Sequence, residues 1–162
     1  MLQPKIIPNL WFDTQAEEAA EFYISVFHSG RILNVARYTD AGPGPAGSVL
    51  SVDFEIAGQR FTGINGGPEF RFTEAVSFLI TCKDQDEVDY YWDRLTEGGE
   101  ESQCGWLKDR YGLSWQVVPE GMDEMFSDPD TSRVDRAMRA MFGMKKLDIA
   151  ALRAAADGVP VS

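Results

Sequence analysis

The chain carries one pattern twice. Thr14 to Phe27 reads TQAEEAAEFYISVF, and Asp84 to Leu95 reads DQDEVDYYWDRL. When one is laid on the other, Ala19, Phe22, Tyr23 and Val26 coincide with Val88, Tyr91, Trp92 and Leu95. Each set recurs at i, i+3, i+4, i+7, the spacing of a helix that buries one stripe. Each copy also follows a strand-like run, Ile6 to Phe12 and Ala75 to Cys82. A repeated strand–helix unit restricts the chain to folds with two related halves, and it leaves the chemistry open.

Local signals fill in the rest of each half. Thr14 with Glu17 reads as a capping box, and Gly30 as the residue that closes the first helix. Arg31 to Tyr38 reads as a strand. Asp40 to Gly47, DAGPGPAG, is a loop by composition and the candidate mobile flap. Ser48 to Ile56 alternates, with Val49, Ser51, Asp53 and Glu55 on one side. Ala57-Gly58 then turns tightly into a strand over Gln59 to Asn65. In the second half, Asp84 caps a helix that Gly98-Gly99 ends. Ser102 to Lys108 reads as a strand, with the preceding strand missing or irregular. Leu113 to Val118 is a last strand, stopped by Pro119. Beyond it, Ser127-Asp128-Pro129 reads as a helix start, Val134, Met138, Met141 and Phe142 form an apolar stripe, and Asp148 caps a final helix closing near Gly158.

The composition narrows the functional classes. The 162 residues carry a net charge of -11, which argues against a phosphate-backbone or anionic-membrane partner, since both require a basic face. No apolar run approaches the roughly 20 residues of a membrane span, and MLQPKIIPNLW lacks the layout of a secretory leader. Cys82 and Cys104 stand in no metal or redox spacing and read as reduced thiols of a cytoplasmic protein.

Three motifs carry a resemblance: PNLWFDTQAEEAAEFY at Pro8 to Tyr23, NGGPEF at Asn65 to Phe70 and DRYGLSWQVVP at Asp109 to Pro119. Together with the tail SDPDTSRVDRAMRAMFGMKKLDIAALRAA, they resemble the PhnB-like branch of the glyoxalase/bleomycin-resistance (vicinal oxygen chelate) superfamily. Its members are often labelled 3-demethylubiquinone-9 3-methyltransferase domains. The resemblance implies an α+β fold, with two βαβββ modules curling mixed sheets around a shared cavity, and homodimers as the common assembly. The modules fall at about 5–67 and 74–119 within a domain of 1–120, and helices follow over 121–162.

The resemblance also implies one divalent metal held by His, Glu or Gln on the inner strand faces. The positions carried over are Ile7 or Pro8, Gly63 or Asn65, Ser77 and Gln116. A serine and amides are a poor set for a cation that needs converging donors at about 2 Å. The only histidine, His28, falls at the end of the first helix. The expectation is therefore no tightly bound metal and no cofactor. The methyltransferase label is also disfavoured, because no Gly-rich turn leads from a strand into a helix as in a nucleotide site.

What remains is an apolar pocket with a few polar groups, the usual form of a small-ligand site. Its candidate residues are Asn9, Trp11, Asn65, Glu69, Phe70, Ser77, Trp106, Trp115 and Gln116; which strand faces point inward is open. The reading is a small-molecule-binding protein without nucleic-acid or membrane partners. The alternative is a metal-assisted lyase, isomerase or dioxygenase of glyoxalase type, with Glu69 as a candidate base.

Overall fold

The structure, a computed structural model, describes residues 4–160. Met1 to Gln3, part of the segment read for a leader, lie outside the described residues. The chain divides into two compact units, 1–72 and 73–162.

The first unit runs β1 (Asn9–Phe12), α1 (Ala16–Phe27), β2 (Arg31–Arg37), β3 (Val49–Ile56) and β4 (Gln59–Asn65). Its sheet has the order β1-β4-β3-β2. β1 lies parallel to β4, with Asn9 opposite Thr62 and Phe12 opposite Asn65. The other two pairings are antiparallel. Ala57 and Gly58 both take positive φ, 49° and 78°, as the tight hairpin turn between β3 and β4 requires.

The second unit repeats this plan. β5 (Ser77–Cys82), α2 (Gln85–Thr96), β6 (Glu100–Glu101), β7 (Trp106–Lys108) and β8 (Ser114–Pro119) make a sheet of order β5-β8-β7-β6. β5 and β8 are the parallel pair. The irregular strand foreseen after the second helix is the two-residue β6. The expected strand over Ser102 to Lys108 is shortened to β7, because Cys104 and Gly105 both take positive φ and break the extended run.

The duplicated stripe is buried in both copies. Ala19, Tyr23 and Val26 on α1, and Val88, Trp92 and Leu95 on α2, are all buried. The matching fourth members, Phe22 and Tyr91, are half-buried in both. Each helix covers one face of its own sheet. In the first unit that face is Leu10, Phe12, Val52, Phe54, Ile56 and Phe61, with Tyr23 stacked on Phe54 at 6.2 Å and Phe54 on Phe61 at 5.5 Å. In the second it is Ile80, Cys82, Leu107, Trp115 and Val117. Each fully buried aliphatic or aromatic side chain contributes about 1.5–3 kcal/mol.

Several helix ends differ from expectation. Gln15 holds the N-cap of α1 without a side-chain cap bond, so Thr14 and Glu17 form no capping box. The Ala16 amide donates instead to Asn65 Oδ1 at 2.8 Å. α1 ends on His28, which takes the left-handed conformation (φ 58°) and donates its N–H to Ile24 O. Gly30 lies two residues further on, where a Cβ would collide with Glu55 O. Asp84 caps α2 as expected, accepting from the Glu87 amide at 2.9 Å.

Three helices follow: α3 (Met122–Phe126), α4 (Thr131–Phe142) and α5 (Ile149–Asp157). α4 starts at Thr131 with Asp130 as N-cap, so Pro129 precedes the helix rather than opening it. Asp148 caps α5 and Gly158 closes it in the left-handed conformation. Arg136 donates to Ala155 O and Ala156 O, satisfying the end of α5. The tail is tied to its own unit. Gln85 donates to Leu147 O and accepts from the Ile149 amide, and Cys104 and Gly105 donate to Met144 O and Lys145 O. The apolar stripe of α4 stays partly uncovered, with Phe142 63% exposed.

Candidate ligand site

Because β1 and β4 are parallel, their C-terminal ends emerge side by side where α1 begins. Asn65 sits at that junction. It accepts from the Ala16 amide and donates from Nδ2 to Val49 O at 3.1 Å. One side chain thus joins the ends of β3 and β4 to the start of α1. Gly66 and Gly67 continue the junction, donating to Phe12 O and Asp13 O.

The rest of NGGPEF wraps the edge strand β1. Trp11 and Phe12 point to opposite faces, as successive strand residues must. Phe70 meets Trp11 edge-on at 5.0 Å, and Phe72 meets Phe12 edge-on at 5.3 Å. Trp11 Nε1 donates to Gly67 O at 2.9 Å. Gly66 lies so close to the indole that any Cβ would overlap it, and Gly67 takes a φ of 104°. Both glycines are therefore demanded by geometry.

The Gly/Pro-rich flap is organised around Tyr38. Gly42 and Gly44 approach opposite edges of its ring. The loop base is closed by Tyr38 N–H to Ser48 O (2.8 Å) and Gly47 N–H to Tyr38 O (2.9 Å). Tyr38 Oη donates to Asn65 O at 2.7 Å, joining the loop to the β4 end. A cavity of about 480 Å³ opens between these parts. Asp13, Thr14 and Glu17 line one part of it, Tyr38 and loop residues 43–45 another, with Ser48, Val49 and residues 65–67 completing the lining.

The sheet face away from α1 carries Asn9, Trp11 and, opposite them on β4, Thr62 and Ile64. Asn9 is exposed and donates to Ile7 O. Asp53 shares this face, accepting from Thr62 Oγ1 at 2.6 Å and Arg60 Nη2 at 3.2 Å. In the second unit, Leu79, Gln116 and Trp106 stand in one row across β5, β8 and β7. Gln116 donates to Ser77 Oγ at 2.9 Å. Ser114 on that face is 1% exposed, and its Oγ has no hydrogen-bond partner.

The structure thus brings Trp11, Asn65 and Phe70 together through the NGGPEF segment, and Ser77 with Gln116 and Trp106 on one sheet face. Trp115 stands apart from that group. It points to the α2 side, is 3% exposed, and donates to buried Asp109 at 2.9 Å. Glu69 is exposed in its loop. Tyr38, Asp13 and Glu17 were not among the sequence candidates, although an aromatic residue directly before a Gly/Pro loop is a signal that the loop could wrap a ring.

The donors that could hold a metal are mostly neutral. On the sheet faces away from α1 and α2 they are Asn9, Thr62, Ser77, Ser114 and Gln116, and the carboxylate of Asp53 is already engaged. Among the described residues, no group of three or more His, Cys, Asp or Glu is placed to hold an ion. Burial pushes the Cys82 thiol up to about 12, with the charges of Glu87 and Asp84 adding to it, which keeps it protonated and inert.

The chain matches the family model described as 3-demethylubiquinone-9 3-methyltransferase over residues 4–118. A Bacillus cereus PhnB protein, described as the same methyltransferase, is 35% identical with a TM-score of 0.65, over 72% of this chain and 99% of its own. Protein PA1353 from Pseudomonas aeruginosa is 20% identical with a TM-score of 0.60, over 73% and 98%. The fosfomycin resistance protein FosX from Listeria monocytogenes, solved with Mn(II) and sulfate, is 14% identical with a TM-score of 0.52, over 78% and 97%. The last two are alike in fold alone. No curated protein matches the chain. The family match ends before α3, so the resemblance read along the tail is not part of it.

Proposed function

The chain belongs to the 3-demethylubiquinone-9 3-methyltransferase (PhnB-like) family of the vicinal oxygen chelate superfamily, and from that premise we propose that it binds a small, partly apolar molecule rather than transferring a methyl group. The observation that carries this is the 480 Å³ cavity, a size typical of small-ligand pockets. It is built by the family motif residues Asn65, Gly66 and Gly67 and walled by Tyr38 and two prolines.

The residues present do not suit the groups that the family name and fold imply. A nucleotide-type methyl donor is commonly held where a Gly-rich turn enters a helix. Here the link into α1 is Asp13-Thr14-Gln15, and Gly66-Gly67 leads into irregular chain. A divalent metal would find amides and hydroxyls at the strand positions that should supply imidazole or carboxylate, and His28 lies at the end of α1 rather than on a strand. We therefore favour binding over the metal-assisted lyase, isomerase or dioxygenase reading. The same reading takes the assembly to be a homodimer, 121–162 to be a helical extension of a 1–120 domain, and the compartment to be the cytoplasm, for which the free thiols of Cys82 and Cys104 are the support.

Native mass spectrometry of freshly purified protein tests this by reporting ligand, metal and subunit count together. A bound organic molecule that is lost from a Val49→Trp variant, whose side chain fills the cavity, is the expected result. One equivalent of divalent metal, or ligand retained by the filled variant, would overturn it.

A further inference from the structure

The cavity beside Tyr38 has a one-sided hydrogen-bonding inventory. Its donors are largely spent within the chain. Tyr38 Oη donates to Asn65 O, Ser48 Oγ to Pro45 O and Asn65 Nδ2 to Val49 O. The amides of Tyr38, Ser48, Gly66 and Gly67 donate to Ser48, Pro45, Phe12 and Asp13 carbonyls, and that of Thr14 to Gln15 Oε1. The Ala16 amide at the head of α1 is taken by Asn65. Pro43 and Pro45 have no N–H to offer. On the acceptor side, the lining holds the carboxylates of Asp13 and Glu17 and contains no Lys, Arg or His. Arg37 lies outside the lining and is engaged with Gly47 O.

Such a cavity rewards a ligand that donates and carries positive charge. An anion would face two carboxylates, whose full charges outweigh the partial positive charge at the start of α1, and a neutral acceptor would leave its own lone pairs unmatched. The ring of Tyr38 and the two prolines offer apolar contact for the ligand's body, and an aromatic ring favours a nearby cation. We propose that this cavity selects a small organic cation, a primary ammonium or amidinium on a compact apolar body. The inference rests on the reading of the cavity as a ligand site and adds the sign of its ligand.

The test is a titration of full-length protein with three probes of one shape, benzylammonium, benzyl alcohol and benzoate, followed by calorimetry and by backbone NMR shifts at Ser48 and Gly66. Benzylammonium should bind about tenfold more tightly than benzyl alcohol, with benzoate weakest, and added salt should narrow the gap. Combining Asp13→Asn with Glu17→Gln should remove that preference, bringing benzylammonium down to the affinity that the same variant shows for benzyl alcohol; each single variant should remove part of it, which guards against a folding defect in the pair. Equal or tighter binding of benzoate or benzyl alcohol at Ser48 and Gly66 would overturn the charge preference while the cavity remained a ligand site. A preference that survives the double variant would overturn it too. If none of the three probes moved those resonances, the cavity reading itself would fall, and this inference with it.

Discussion

Replacing Asn65 with alanine removes both bonds of the junction at once. The Ala16 amide loses its acceptor at 2.8 Å, which at a helix start costs about 1 kcal/mol. Val49 O loses its donor at 3.1 Å, which costs about 1 kcal/mol more in a half-buried setting. The sum, roughly 2 kcal/mol, corresponds to a fall in Tm of about 4–8 °C for a chain of this size. Circular dichroism melting measures it, and hydrogen exchange at the first turn of α1 localises it. Asn65→Asp separates the two contributions. It keeps an acceptor, now charged, at the positive end of α1 while losing the donor to Val49 O, so it should sit between alanine and wild type. A melting point for Asn65→Ala within about 1 °C of wild type, with unchanged exchange in α1, would refute the claim that this side chain substitutes for the absent cap.

Three further outcomes follow from other sites. Gly66→Ala forces a methyl into the Trp11 indole and should cost about 1–3 kcal/mol, with a shift in tryptophan emission; an unchanged spectrum and melt would show that the contact is not tight. Native protein treated with iodoacetamide should not react at Cys82, whose thiol burial holds at about 12, until denaturant exposes it; fast modification of Cys82 by mass mapping would contradict the buried placement. Asp89 is held below its ordinary 3.8 by hydrogen bonds from Gln85 and Lys146. A depressed carboxylate contributes stability above its unfolded value and loses it as pH falls through the folded one. Asp89→Asn should therefore be less stable than wild type near neutrality, and the two should converge as pH drops below about 4. A difference that grows in acid would have the wrong sign.

The periodic elements were legible because their signal is local. Ala19-Tyr23-Val26 and Val88-Trp92-Leu95 show the same stripe in sequence and are buried in both copies. Asp84 as a cap, Ala57-Gly58 as a hairpin turn and Gly158 as a helix stop are likewise local chemistry. The offset between the halves was legible only in part. Phe12 to Ala16 is one residue longer than Cys82 to Gln85, so the register that aligns the helices misplaces the strands by one residue and swaps their faces. Among the carried-over alternatives, Gly63 and Asn65 both alternate away from Thr62, which went unnamed, whereas Asn9 opposite Thr62 was among the ligand candidates.

The sequence alone determined that the chain has two related α+β halves, which residues each helix buries, and which family it belongs to, since all three depend on spacing and motif within short windows. The tertiary structure decided what the motifs are for. NGGPEF reads as a candidate ligand loop, yet its glycines accommodate Trp11 and its asparagine caps a helix 49 residues earlier in the chain. Tyr38 gains its place by holding a loop and a strand end that are distant in sequence. Such roles come from side chains meeting across long separations, and only the pairing of β4 with β1 and, through β3, with β2 brings those atoms together.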